Sequence, residues 1–504
     1  MTKQFSNYSD LLTFTRASKG HALRPVSYGT ELVTNGTFDN SGADWTVYQG
    51  TNITFANNRI ETTESGNFVV GQSLTGLSAN KIYKVQWEQQ ATTGSFYLRF
   101  GNSSINTLYK SGSGIMTVYI SPDDLVGIYF VQSGVSVGDW IDNVSVKEVL
   151  FDQPDGTLTL FEHPDHVPRV EWDADRNRLG LLVEESRTNL ITYSEDFSNA
   201  YWSKLGSSSI VSTDNLAPDG TLTASEISIG SGQSYIRRSE YSISVTDHSA
   251  SFWVKAASSG SATAIRLTTN NTAAWGTGVS SKLTLTSEWQ RIEVKGDLNS
   301  LAPSLNLLLG NADENNAVDT DCVGNVLVWG AQLEAGSFPT SYIKSNSGST
   351  TTRSADYPIE IDWDNFGYNK RAGTFVAEFD YTDPNNDDSN YLISGGGSAR
   401  FFYNNSSTSS WSIYDGAGGM SVTGIPSDGT PLKISVAMSD AGTTAHRNGT
   451  LNSTNASIKP QGSISYDALA IGGISAATTL NGHIKSIQYY PRRLTNAQLV
   501  QLTS

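Results

Sequence analysis

The sequence predicts an all-β protein built of tandem antiparallel β-sandwiches that are joined by irregular connectors. Three observations predict it: short segments of alternating apolar and polar residues recur along the chain, a framing motif is repeated, and the composition suits strands and turns. Of the 504 residues, 46 are Gly, only 16% are charged and 10% are aromatic. Such a chain has too many aromatic residues to stay disordered, and its length allows about three domains.

The repeated motif frames two long blocks. The first block opens with ELVTNGTFDNSGADW, which ends at Trp45, and closes with GDWIDNVSVKEV at 138–149. The second opens with NLITYSEDFSNAYW, which ends at Trp202, and closes with VGNVLVWGAQLEAG at 323–336. Two similar modules in one chain indicate repeated binding or scaffolding better than a single catalytic cleft.

Residues 31–149 are predicted to form a jelly-roll module. Period-2 alternation marks strands at 81–90, 95–103, 115–120 and 126–132. Gly, Asn and Asp separate these segments, as hairpin turns require. About eight strands of this kind fit a two-sheet jelly roll.

Residues 189–345 are predicted to form a second jelly roll. Its clearest strands are 249–257, 263–270, 281–296 and 304–310. The same alternation carries this prediction, so the two framed blocks share one architecture.

Three other segments are predicted to be less regular. Residues 1–30 form an N-terminal attachment segment, and residues 150–188 form a connector that holds three of the 14 prolines. Residues 346–356 form a polar linker, because Ser, Thr and Gly dominate them.

Residues 357–504 are predicted to form a third β-sandwich. Strands at 373–382 and 483–491 are among its clearest. The chain then ends in LTNAQLVQLTS, the one convincing helix signal, with Thr495 or Asn496 as its cap.

Charge and hydropathy exclude two classes of partner. The net charge is 33 − 49 = −16, and no basic run exceeds two residues, so a nucleic acid would be repelled. The sequence contains no run of 18 apolar residues, so it predicts no segment that inserts into a membrane. The N-terminus MTKQFSNYSDLL lacks the apolar core of a signal peptide. We therefore expect synthesis in the cytoplasm without Sec secretion.

The sequence predicts no catalytic residue, no required cofactor and hence no enzyme. Cys322, the only cysteine, precedes an apolar segment and is predicted to be a buried thiol, with a reactive thiol as the alternative. His163 and His166 form HPDH, which could touch a metal, but Pro164 breaks regular geometry. Paired carboxylates are plentiful, yet glycoside hydrolysis needs two that face each other across a bond, so a glycosidase stays an alternative.

Exposed aromatic rings could stack on the C–H faces of sugars. The residues predicted for carbohydrate binding are Trp45, Trp87, Tyr97, Trp275, Trp411 and Tyr414. The alternative for each is a place in the sandwich core, which is where most Trp residues of such folds lie.

Two passages resemble a recurring region of bacteriophage virion proteins, mostly tail proteins. They are TFTRAS at 13–18 together with VPRVEWDADRNRLGLLVEESRTNLITYSEDFSNAYW at 167–202, and GAQLEAGSFPTSYIKSNSGSTTTRSADY at 330–357. The family usually has Pro where this chain has Lys344. In the family, the TFTRAS strand lies close in sequence to the segment that corresponds to 167–202, whereas here residues 31–149 intervene. The first jelly roll therefore resembles an insertion, and we expect residues 10–30 to pack with 150–188.

The first jelly roll is similar to carbohydrate-binding modules of families 4 and 9. That resemblance implies a structural calcium ion that joins the first and last strands, for which Asp39 and Asp142 are candidates. Gly324 stands at the position of Asp142 in the second module. The alternative is that both are turn and edge carboxylates.

The C-terminal block resembles laminin-G-like and concanavalin-A-like sandwiches. The resemblance rests on GTF at 373–375, HRNG at 446–449 and GHIKSIQYYPRRL at 482–494. Domains of that family often bind glycans, sometimes through calcium.

These resemblances together imply a phage virion surface protein, tail-fibre-like or capsid-decorating, that binds host surface polysaccharide. Other virion proteins are expected partners, and a homotrimer is the expected assembly. Two rivals stay open: a purely structural virion component and a polysaccharide depolymerase. The long parallel β-helix repeats common in phage depolymerases are not found in the sequence.

Overall fold

The protein is described from a computed structural model. It covers residues 13–64, 66–79, 81–100, 107–121, 126–242, 247–258, 260–271, 274–295, 304–345, 348–362, 367–369, 371–384, 389–394, 400–405, 410–415, 418–458, 468–473, 475 and 478–504. The chain divides into two compact units. One is Pro25–Leu158, and the larger one combines Met1–Arg24 with Thr159–Ser504. The strand pairs of the described sheets are antiparallel, which confirms the predicted all-β class.

The first unit contains the first jelly roll. Its two sheets have the orders β3-β6-β11-β8-β9 and β4-β5-β12-β7-β10, and β2 also pairs with β12. The chain begins with β1 (Thr13–Thr15) and β2 (Gly20–Glu31), and the jelly roll comprises β3 (Thr46–Gln49), β4 (Ile53–Ala56), β5 (Arg59–Thr62), β6 (Val69–Ser73), β7 (Tyr83–Gln90), β8 (Ser95–Phe100), β9 (Thr107–Ser111), β10 (Gly114–Ile120), β11 (Gly127–Ser133) and β12 (Trp140–Phe151).

The larger unit contains the second jelly roll, with sheet orders β17-β20-β25-β22-β23 and β18-β19-β26-β21-β24. These orders repeat those of the first jelly roll strand for strand. Four strands of other sheets precede the second jelly roll: β13 (Thr157–His163), β14 (Arg169–Trp172), β15 (Arg178–Val183) and β16 (Arg187–Asn189). The jelly roll itself comprises β17 (Ser203–Leu205), β18 (Ser209–Leu216), β19 (Leu222–Ile229), β20 (Tyr235–Ser242), β21 (His248–Ala256), β22 (Ala264–Asn271), β23 (Ala274–Thr284), β24 (Gln290–Val294), β25 (Ser304–Gly310), a 3-10 turn (Thr320–Cys322) and β26 (Gly324–Ala335).

The repeated opening motif has one geometry in both jelly rolls. Phe38 and Trp45 lie 5.1 Å apart between ring centroids at 43°, and Phe197 and Trp202 lie 5.1 Å apart at 40°. Each indole Nε1 donates to a backbone carbonyl, 3.0 Å in the first module and 2.9 Å in the second. All four rings are buried in their module's core. The repeat therefore encodes core packing, and the hydrogen bond satisfies the one polar group of each indole.

The C-terminal sandwich packs two seven-stranded sheets face to face, with orders β1-β28-β37-β30-β31-β32-β33 and β14-β15-β38-β29-β34-β35-β36. β27 (Thr351–Arg353) lies outside these sheets and pairs with β16. The remaining elements of the sandwich are β28 (Tyr357–Asp362), β29 (Ala372–Phe379), β30 (Tyr391–Ser394), β31 (Arg400–Asn405), β32 (Ser410–Tyr414), β33 (Gly419–Val422), β34 (Leu432–Ser439), β35 (Gly442–Arg447), β36 (Thr450–Asn455), β37 (Ala468–Ile471), β38 (Gly482–Tyr490) and helix α1 (Asn496–Thr503).

Local signals for the last helix and the cysteine are confirmed. The Thr495 hydroxyl caps α1 by accepting from the amide of Gln498, whose side chain reciprocates as a capping box. Cys322 is fully buried, and burial raises the pKa of its thiol to about 12. A protonated, inaccessible thiol is not reactive.

The structure differs from the predicted boundaries in three places. Strand β1, in the predicted N-terminal attachment segment, pairs with β28, and β14 and β15, in the predicted connector, extend the sheet of β38. Residues 351–353 of the predicted linker form β27, which pairs with β16. Sequence position misled here because these strands pair with partners far away along the chain.

A buried cluster of charges ties these distant segments together. The Arg169 guanidinium donates to Glu184 at 2.9 Å and to Asp356, while Arg16 donates to Asp356 at 3.1 Å. Arg16 and Asp356 are wholly buried, and Arg353 lies 3.5 Å from Glu184. Burial alone would raise the pKa of Glu184, but Arg353 and Arg169 hold it well below its usual range.

This cluster explains why the phage-like passages carry their charged residues. Arg16 belongs to TFTRAS at 13–18, Arg169 and Glu184 to the segment 167–202, and Asp356 to the segment 330–357. Since a buried charge must be paired, each of these segments supplies partners for the charges of the others. Their role in the described structure is architectural.

No helix of the described residues is long and apolar enough to cross a membrane.

Candidate functional site: a tyrosine face on the first jelly roll

Three of the aromatic residues predicted to bind sugar lie in sandwich cores. Trp45 and Trp87 are 7% and 0% exposed in the first jelly roll, and Trp411 is 2% exposed in the C-terminal sandwich. Each points between its sheets and packs on other rings, such as Phe130 against both Trp45 and Trp87. These three cannot present a ring to a ligand, so the core alternative holds for them.

The other three predicted residues lie elsewhere. Tyr97 is half-buried on β8, and Tyr414 is half-buried at the end of β32. Trp275 lies on β23, but its side chain is outside the described residues. Of the six, Tyr97 has further aromatic residues beside it on one solvent-facing surface.

That surface is the outer face of the sheet β3-β6-β11-β8-β9, and we call it the tyrosine face. Phe96 and Leu98 on β8 point into the core, so Tyr97 and Arg99 between and beside them point outward. In the same way Tyr129 on β11 points outward and pairs directly with Arg99 across the strands. The tyrosine face is thus defined by Tyr48, Tyr97, Arg99 and Tyr129.

A glycine shapes the centre of this face. A Cβ at Gly71 would lie 2.4 Å from the ring of Tyr129, so only glycine lets that ring lie over strand β6. Tyr48 then meets Tyr129 edge-on, with ring centroids 5.4 Å apart at 63°. Tyr129 is 9% exposed and Tyr48 is 52% exposed. The result is one supported ring and one ring that projects into solvent.

The chemistry of the tyrosine face suits a polar ligand that has an apolar side. Tyrosine rings offer an apolar surface with a hydroxyl at its rim, and Arg99 supplies a fork of hydrogen-bond donors. Specific sites typically combine aromatic surface with a few such polar groups. Sequence reasoning found Tyr97 and missed Tyr48 and Tyr129. For Tyr129, alternation with the buried Phe130 was the available signal, whereas every residue of β3 is exposed and no alternation marks Tyr48.

The second jelly roll does not repeat this face. On its matching sheet, Tyr235 and Leu308 are 7% and 2% exposed and pack with Ala312. Asn270 and Asn306 are also buried there, and Asn306 donates to Asn270 at 2.9 Å. The same strand order therefore presents exposed aromatic rings in only one of the two modules as far as they are described.

The two calcium candidates lie in one region of the first jelly roll, where Glu88 is also close to Asp142. Asp39 accepts from Thr37 at 2.8 Å, and Asp142 accepts from its neighbour's amide. Burial raises the pKa of Asp142, and Glu88 and Asp39 add to that rise. Among the described residues, no three His, Cys, Asp or Glu side chains converge to hold a metal. Calcium at Asp39 and Asp142 stays a prediction.

The two histidines of the HPDH segment lie in different surroundings. His163 is fully buried, and burial lowers its pKa well below the usual value, while His166 is exposed. Two histidines in such different surroundings do not act as one ligand pair.

Comparison with known proteins gives weak structural similarity. No protein-family model and no curated protein sequence matches the chain. The N-terminal CBM22-1-CBM22-2 tandem domain of Paenibacillus barcinonensis Xyn10C is similar at 13% identity and a TM-score of 0.24, covering 61% of this chain and 98% of that one. A heptameric SAP-like pentraxin from Limulus polyphemus is similar at 15% identity and a TM-score of 0.22, covering 27% and 70%.

A third similarity corrects the prediction that the chain is not an enzyme. Trypanosoma rangeli sialidase, in complex with the inhibitor DANA, aligns over 96% of this chain and 94% of its own, with 10% identity and a TM-score of 0.25. Because an enzyme is among the matched structures, the exclusion of catalysis is withdrawn. A likeness this weak assigns no activity.

Proposed function

We propose that the chain is a phage virion surface protein, tail-fibre-like or capsid-decorating, that binds host surface polysaccharide through the tyrosine face. One observation carries the binding proposal: Tyr48 projects from a face where Tyr129, Tyr97 and Arg99 already lie together. The two phage-like passages support the virion assignment. Their charged residues build the buried cluster, so they support a shared architecture and say nothing of the ligand.

Polysaccharide suits this surface for two reasons. Sugar rings have C–H faces that pack on aromatic rings and hydroxyls that accept from guanidinium and phenol groups. A single shallow face binds weakly, but a repeating ligand on a homotrimer would be held at several points at once. Linked sites raise avidity without any new contact, because the second site binds at a high effective concentration.

A glycan array tests the proposal directly. The full chain would be applied to printed bacterial lipopolysaccharides and capsular polysaccharides, and the best glycan then titrated against the Tyr48→Ala variant. Loss of one exposed stacking ring should weaken binding about tenfold. The matched control is Tyr28→Ala, which removes a 40% exposed tyrosine on the other sheet of the same unit.

The outcomes separate the rivals. Binding to no array member and to no host cell would contradict the adhesin proposal and favour a structural spacer. Equal weakening by the Tyr28→Ala control would place the binding surface elsewhere on the unit. Reducing ends released from the bound polysaccharide would reveal a depolymerase, and light scattering of the intact protein would test the trimer.

A further inference from the structure

A polar groove lies on the C-terminal sandwich, far along the chain from the tyrosine face. It occupies the outer face of the sheet that contains β29, β34 and β38, and helix α1 forms one wall. Its volume is about 120 Å³. The side chains that define it are Val376, Glu378, Lys433, Ser486, Gln488 and Leu502.

Opposite charges face this groove without neutralising each other. Glu378 and Lys433 are direct partners across β29 and β34. Yet Glu378 pairs with Lys485 at 2.8 Å, and Lys433 donates to the carbonyl of Ser504 at 2.7 Å. Among the described side chains, no ion pair joins Glu378 to Lys433. The groove therefore has an acceptor and a donor held apart by other contacts.

Buried polar atoms lie on the same outer face next to the groove. Ser435 follows Lys433 by two residues, so its side chain shares that face, and it pairs across the strands with Val376 and His446. Ser435 is 0% exposed and His446 is 1% exposed. Neither Ser435 Oγ nor His446 Nδ1 has a hydrogen-bond partner in the described part of the chain. Both residues lie beside the groove and are not part of its lining, so they mark an incompletely hydrogen-bonded region next to it.

We propose that this groove binds one sugar residue of a glycan through its hydroxyl groups. A hydroxyl can donate to Glu378 and accept from Lys433 or Gln488, whereas a simple anion is repelled by Glu378 and a simple cation by Lys433. Val376 and Leu502 give an apolar wall for the C–H side of the ring. A volume of about 120 Å³ is below the usual range of enclosed small-ligand sites, so the groove would hold one ring at its open mouth and not enclose a larger ligand. The site is separate from the tyrosine face and does not depend on it.

Methyl NMR of the full chain tests the groove. Glucose, galactose and N-acetylglucosamine would each be titrated into protein with labelled Val and Leu methyl groups. We expect the Val376 and Leu502 resonances to move with one of these sugars. Lys433→Met should weaken that binding about tenfold, because it removes a charged donor. Lys81→Met is the matched control: it makes the same substitution at an exposed lysine of the first unit and should leave binding intact.

Several results would overturn the groove site. Resonances of Val376 and Leu502 that stay fixed at saturating concentrations of all three sugars would do so. So would unchanged affinity in both Lys433→Met and Gln488→Ala, the second being an exposed substitution that does not threaten folding. A response to glycine but to no sugar would assign a zwitterion instead. Titration of Tyr48→Ala separates the proposals, because the groove should respond equally with or without the tyrosine face.

Discussion

The first and second jelly rolls share the same two five-strand orders, with β2 and β13 added to one sheet of the first, yet their outer faces differ. In the second, Trp253 and Trp329 lie on an outer face and are 8% and 0% exposed, packed with Tyr342. On the matching sheet of the first, Trp140 is only half-buried and donates to the exposed Gln90 at 2.8 Å. One architecture thus buries an outer face in one copy and leaves it open to solvent in the other.

The comparison shows that packing between the sheets constrains the core residues, whereas residues on the outer faces are free to differ. The Phe–Trp pairs of the opening motif keep one geometry because both fill the same space between sheets. Outer faces carry no such requirement, so they diverge into packing in the second module and into the tyrosine face in the first. A duplicated fold can therefore combine a scaffold and a candidate binding surface.

Breaking the buried charge cluster should cause the largest loss of stability, and that loss should be confined to the larger unit. Asp356→Ala removes the carboxylate that pairs with both Arg16 and Arg169. Removing one partner of a buried ion pair typically lowers the free energy of unfolding by about 3–5 kcal/mol. Hydrogen exchange resolved by segment would show faster exchange in β14, β15 and β28 and unchanged protection in the first jelly roll. Asp39→Ala, at an exposed carboxylate, is the control. Equal loosening of both units would contradict the confinement.

Replacing tryptophans on the matched outer faces should reduce stability by different amounts. Trp329→Ala removes a wholly buried ring that contacts Tyr342 at 4.4 Å between centroids and donates to Thr223. It should destabilise its unit by about 3–5 kcal/mol. Trp140→Ala removes a half-buried ring that is stacked under Arg59 at 4.8 Å, and should cost about 1 kcal/mol. Calorimetry of both variants checks this, and similar losses would show that the two faces are equally structural.

The smallest expected effect is a pH dependence that only the larger unit shows. His483 contacts Asp380 at 3.0 Å and Glu171 at 2.8 Å. Burial alone would lower its pKa, but the hydrogen bonds and charges of these two acids raise it to about 10. Because the folded pKa exceeds the unfolded value near 6.5, this stabilisation is complete below about pH 6.5 and is lost as pH rises toward 10.

Thermal melting between pH 6 and pH 10 would measure this dependence. The melting temperature of the larger unit should fall across that range, and His483→Gln should flatten the fall. A fall of the same size in the variant would mean that other groups titrate.

Much of the fold follows from the sequence, and much less of the candidate site does. The alternation around Phe96 and Phe130 predicts strands, and the repeated motif predicts two like modules. Alternation also separates inner from outer residues on a strand, which would have excluded Trp87 and retained Tyr97 and Tyr129. It cannot show which outer residues of different strands meet. The contact of Tyr48 with Tyr129 depends on the pairing of β3 with β6 and of β6 with β11.

The sequence alone determined the all-β class, the two jelly rolls and the capped last helix, because these arise from local periodicity and short-range hydrogen bonds. Tertiary structure alone decided that β1, β14 and β15 belong to the C-terminal sheets and that Arg16 reaches Asp356, 340 positions away along the chain. It also decided which aromatic rings face solvent. Strand pairing and burial are long-range outcomes of packing, and neither is encoded in the spacing of neighbouring residues.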